Sequence, residues 1–74
     1  MSRNSYLCVA AIEIWNKLST SVGTTTRVST ALLKIILLKH GDSTFLDGRR
    51  IILAKRSLGA GVYEIGFKWE ETRG

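Results

Sequence analysis

The chain contains no proline, one cysteine, one histidine and one methionine, and its six acidic side chains face eleven basic ones. Each scarcity excludes something. Without proline, glycine and hydroxylated side chains must punctuate the fold. With Cys8 alone, no intrachain disulfide can form and no cysteine-based metal site can be built from one chain. A disulfide-stapled secreted scaffold is therefore excluded, and a reducing, cytoplasmic interior is the expected setting. Cys8 lies among Tyr6, Leu7 and Val9 and reads as a small buried hydrophobe.

The only histidine, His40, has no Ser, Cys or carboxylate at the spacing of a nucleophile–base pair. Glu70 and Glu71 are adjacent, so on a strand they point to opposite faces instead of forming a carboxylate pair. Lys34 has no glycine before it, which rules out a phosphate-binding P-loop. No cofactor or metal motif is present. At 74 residues, folding buries only about 60% of the surface exposed by the unfolded chain. A deep catalytic pocket would consume much of that core, so a non-enzymatic protein is expected.

Long apolar runs are also missing. The uncharged stretches Asn4–Ile12, Leu18–Thr26 and Val28–Leu33 are all short, whereas a membrane-spanning helix needs about 20 apolar residues. Arg3 followed by Tyr6–Ile12 has the outline of a signal peptide. However, Glu13 ends the run and no small-residue cleavage site follows, so the segment is assigned to the fold.

What remains predicts one small basic α+β domain over residues 1–74. Residues 1–5 are polar, and Asn4 or Ser5 is placed to cap a helix over 6–18. Leu7, Ala11, Ile14 and Leu18 follow helical spacing there, with Val9, Ile12 and Trp15 widening the stripe. In Ser19–Thr30, eight of twelve residues are Ser or Thr, around Gly23. Such hydroxyls favour turns and caps. A loop at 19–24 and a second helix over 26–40 are expected. That helix is apolar nearly all round, which predicts burial on several sides or a homodimer interface. Lys39 and His40 complement its dipole, and Gly41 suits the left-handed residue that ends it.

After Asp42 the hydrophobic period becomes two. Asp47-Gly48 marks a type I′ hairpin turn, Arg49–Arg56 is a strand, Gly59-Ala60-Gly61 a second turn, and Val62–Glu70 a last strand. Residues 43–46 are a possible third strand. Two helices are thus expected on one face of a two- or three-stranded antiparallel sheet with a C-terminal hairpin. A three-residue loop at 59–61 sets Leu58 opposite Val62, Leu53 opposite Phe67 and Ile51 opposite Trp69. It also pairs Arg56 with Glu64 and Arg50 with Glu70. A two-residue loop at Gly59-Ala60 would move both arginines to the aromatic face, because a one-residue slip inverts every side chain.

The net charge of +5 and a pI near 9.9 point toward nucleic acid or an acidic protein surface as partner. The candidate contacts are Arg49, Arg50, Lys55 and Arg56 on the basic strand, Lys68 on the last strand, and Arg27 at the expected start of the second helix, where anions bind well. A solvated, ion-paired strand face explains the same residues more plainly, and the register already assigns glutamates to Arg50 and Arg56. Tyr63, Phe67 and Trp69 form an aromatic row that reads as core. Two functions follow from different premises. One is a nucleic-acid-binding protein contacting phosphates through the hairpin and a helix N-terminus, as a homodimer through the second helix. The other is a protein-interaction module, such as an inhibitor or adaptor, that uses a sheet edge or the uncovered sheet face.

Overall fold

The computed structural model describes residues 3–71, with side chains from Ser5 onward. The order is α1 (Arg3–Ser19), β1 (Thr25–Ser29), α2 (Thr30–His40), β2 (Ser43–Leu46), β3 (Arg49–Gly59) and β4 (Val62–Trp69). The strands form one fully antiparallel sheet in the order β1-β4-β3-β2. The α+β class and the hairpin are as expected, but the sheet has four strands instead of two or three, and the helices do not both precede it. Helix α1 begins at Arg3, so Ser5 lies inside it and does not cap a helix at Tyr6. The side chain of Asn4 lies outside the described residues.

The expected helix over 26–40 divides in two. Thr25–Ser29 is extended and pairs with β4, from Thr25 opposite Gly66 to Ser29 opposite Val62. The physical reason is the run of β-branched and hydroxylated residues, which favours a pleated edge over a helical turn. Val28 is 4% exposed and fills the core from this strand, between exposed Arg27 and Ser29. The Ser29 hydroxyl then accepts from the Leu32 N–H at 3.1 Å, capping α2. Gly41 closes that helix at φ 83°, its N–H donating to the Leu37 carbonyl.

Both helices cover one face of the sheet. Ala11 and Leu18 from α1, Leu32, Leu33 and Ile36 from α2, Ile51 and Leu53 from β3, and Ile65 and Phe67 from β4 meet Val28 in a single core. Burying each large aliphatic side chain contributes about 1.5–3 kcal/mol. This position buries Leu32, Leu33 and Ile36 of α2, since one side meets α1 and another meets the sheet, but Leu38 stays exposed. The row of Phe67, Tyr63 and Trp69 faces the core side as expected, with Phe67 buried and the other two half-buried. Trp15 joins the aromatics, edge-on to Phe67 and stacked on His40 at 4.7 Å.

Asp47 (φ 53°) and Gly48 (φ 76°) form the left-handed pair required by a type I′ turn. The β3–β4 turn is a correction in detail. Ala60 (φ 54°) and Gly61 (φ 75°) make a two-residue turn. Gly59, not Leu58, faces Val62, and the ladder breaks between Ser57 and Gly59, leaving Leu58 in a bulge. That extra residue absorbs the slip. Ile51 therefore still faces Trp69, Leu53 faces Phe67 and Arg56 faces Glu64. The turn is tied to α2, because the Thr30 N–H and hydroxyl both donate to the Gly61 carbonyl, at 3.0 and 3.2 Å.

β1 reaches β4 at Gly66, which is buried beneath the Thr24 backbone. A Cβ there would collide with the Thr24 carbonyl oxygen and lie 3.0 Å from Thr25 Cγ2. Gly66→Ala is therefore expected to cost about 1–3 kcal/mol, read as a lower Tm in a thermal melt; an unchanged Tm would show that β1 does not dock this closely. In contrast, Ala60 holds a left-handed conformation that costs an L-residue about 1–2 kcal/mol. Ala60→Asn is expected to raise the Tm, and a fall would contradict the turn assignment.

Candidate binding face

Strand alternation gives the sheet two chemically different faces. The helix side holds the core. The other side is left uncovered by the described residues, and its side chains fall into cross-strand rows set by the register. Arg27, Glu64 and Arg56 form one row across β1, β4 and β3. Thr25, Gly66 and Ala54 form the next. Lys68, Ile52 and Ser43 follow across β4, β3 and β2. Arg50 and Phe45 end the series, with Glu70 beside Arg50.

The ion pairs expected from the register are present. Arg56 Nη2 donates to Glu64 Oε1 at 2.7 Å, and Arg50 Nε lies 3.5 Å from Glu70 Oε2. Arg50 also donates to the Ser43 hydroxyl at 3.1 Å. The Arg56 side chain is 71% exposed. Such solvent-facing pairs contribute about 0–1 kcal/mol, so they orient the guanidinium groups more than they hold the fold. Among the described residues, neither Arg27 nor Lys68 has a carboxylate within ion-pair distance. The face thus carries four cations against two carboxylates.

In the second row Ala54 is exposed, whereas Gly66 is covered by the Thr24 carbonyl. A shallow concavity of about 300 Å³ lies over Thr25, Ala54 and Gly66, rimmed by Arg56, Glu64 and Lys68.

Of the six expected contact residues, Arg27, Arg50, Arg56 and Lys68 share this face. Arg27 arrives there on β1, because the expected helix start at residues 26–29 is a strand and α2 begins at Thr30. Arg49 and Lys55 are displaced to the opposite side. Arg49 lies over the Trp69 ring at 4.2 Å from its centroid, a cation–π contact. Lys55 faces buried Ile65 in the register and is exposed beyond the cover of the helices.

Phe45 is the residue that the sequence reading missed. It is 64% exposed on the cationic face, while Thr44 and Leu46 take the core side of β2. The signal was present: a two-residue turn at Asp47-Gly48 forces Leu46 opposite Arg49, and therefore Phe45 opposite Arg50.

Among the described residues no three His, Cys, Asp or Glu side chains gather as metal ligands would, and no helix is long and apolar enough to cross a membrane. Compared with known proteins, the chain matches no family model, no curated protein and no solved structure.

Arg49 and the cations of the open face therefore separate experimentally. Arg49→Ala is expected to lower stability by about 0.5–1 kcal/mol and to alter the tryptophan emission. A melt and an emission spectrum identical to the parent would contradict the contact.

Proposed function

We propose that the chain is a small non-enzymatic nucleic-acid-binding protein that contacts phosphates through the open face of its sheet. The supporting observation is the placement of Arg27, Arg50, Arg56 and Lys68 on one uncovered surface, with Arg27 and Lys68 outside any ion pair among the described residues. A polyanion gains by releasing condensed counterions to such a surface. The shallow concavity over Ala54 lets a phosphate chain approach between Arg56 and Lys68. The helix side also carries positive charge, at Lys17, Lys34, Lys39, Arg49 and Lys55, but there it is spread over two helices and β3, and Arg49 is engaged by the Trp69 ring.

The test is a titration of a fluorescent oligonucleotide at several salt concentrations. Log affinity should fall linearly with log salt, by about 0.7 to 0.9 per phosphate neutralised. Arg27→Gln and Lys68→Gln should each reduce the slope by about one contact, while Lys34→Gln on the helix side should not. Absence of binding at low salt, or equal losses from Lys34→Gln, would overturn the proposal.

A second reading rests on the opposite surface. Leu38 is 86% exposed, Tyr6 65% and Val9 57%, all on the helix layer. Exposed apolar side chains on a helix layer can serve association, and Leu38, beside Cys8 and Ile35 in a groove between the helices, suits an interaction module, either as a homodimer or on a larger protein. Sedimentation equilibrium tests the homodimer: a dimer that Leu38→Glu converts to monomer supports it, and a monomeric parent chain argues against it.

A further inference from the structure

β2 is built against the demands of its own core. Its largest side chain, Phe45, is turned away, while Thr44 and Leu46 are turned in. A shift of one residue would bury the ring, but the Asp47-Gly48 turn locks the register that exposes it. Local choices that oppose packing in this way concentrate at functional sites.

The neighbours of the ring are distinctive. Arg50 stands directly across from it, held in place by Ser43 and Glu70. Half-buried Ile52 is one pair further along β3, opposite Ser43, within the reach of diagonal neighbours. Lys68 flanks Ile52 on β4. An aromatic ring and an aliphatic side chain thus form an apolar platform bordered by two cations. The same face continues past Ala54 to Arg56 and Arg27, about 20 Å away by strand rise.

Resting on the phosphate-binding reading above, we infer that the ligand is single-stranded nucleic acid, with one base stacked on Phe45. Three considerations choose the single strand. Phosphates alone would use the cations and give no role to an exposed ring, whereas every unpaired base has a π-face that stacks on an aromatic side chain. In a duplex that face is already occupied by neighbouring bases. The sheet also has the wrong breadth for a duplex groove. Four strands span about 14 Å between outer backbones before side chains are counted, and a major groove is about 12 Å wide and admits a helix or a two-stranded ribbon. The cations at both ends of the face then hold the sugar–phosphate chain, and the apolar platform between Arg50 and Lys68 receives the base.

The experiment compares a labelled mixed-sequence 12-mer with its own duplex by fluorescence anisotropy, at fixed low salt, for the full chain and for Phe45→Ala and Phe45→Tyr. Phe45 lies outside the core, so the fold should survive both changes, and a thermal melt checks this. The single strand is expected to bind more tightly than the duplex. Phe45→Ala should weaken single-strand binding about fivefold to a hundredfold, with the salt slope unchanged, and Phe45→Tyr should retain binding. Equal affinity for both forms, or no effect of Phe45→Ala, overturns this inference while leaving phosphate binding in place. No binding to either form overturns both.

Discussion

Everything on the open face depends on a missing side chain. β1 and β4 come together because Gly66 leaves room for the Thr24 backbone, and that contact gives β4 a partner on each side. With β1 in place, the chain enters α2 from one edge of the sheet and leaves it toward the other. It carries both helices onto the same face, and the hydroxyl and N–H of Thr30 fasten the far hairpin turn to the start of α2. One face is then filled with aliphatic and aromatic side chains, and the other keeps whatever the alternation assigns to it.

That assignment was largely legible wherever turn chemistry and period two acted together. Asp47-Gly48 and the Gly59–Gly61 segment bound strands whose alternation separates Ile51, Leu53, Ile65 and Phe67 from Arg50, Arg56, Glu64 and Lys68. Both cross-strand ion pairs follow from that register. The loop length was read one residue too long, but the bulge at Leu58 compensated for it, so the pairing beyond the turn is unaffected. A register argument can survive an error in the turn when the hydrophobic pattern on both strands overdetermines the answer.

The segment 25–29 was harder because its information is not local. Val28, Ala31, Leu32 and Ile35 have helical spacing, and Ser and Thr serve equally well as caps or as strand residues. What decides the matter is the edge of β4, a partner far along the chain that no local pattern announces. The same gap hid the true position of Arg27. The helix-start reading and the strand reading leave its charge unchanged, but only the strand sets it in a row with Glu64 and Arg56. Phe45 was obscured differently, since four residues are too few for alternation to identify a core face, and only the turn register could.

The pairing of β1 with the far end of the chain also bears on how the fold is reached. The β2–β3 and β3–β4 hairpins close over short loops and can form before any distant contact, whereas β1 cannot add until loop-closure entropy has been overcome across α2 and both hairpins. Like β2, β1 is a short outer strand, and it contributes one buried residue, Val28, so its hydrogen bonds to β4 belong to the less stable margin of the sheet. In the native ensemble the Thr25–Ser29 amides would then exchange with solvent sooner than those between β3 and β4. Arg27 travels with that strand, so one cation of the open face rides on the sheet's margin while the other three sit on the inner strands β3 and β4.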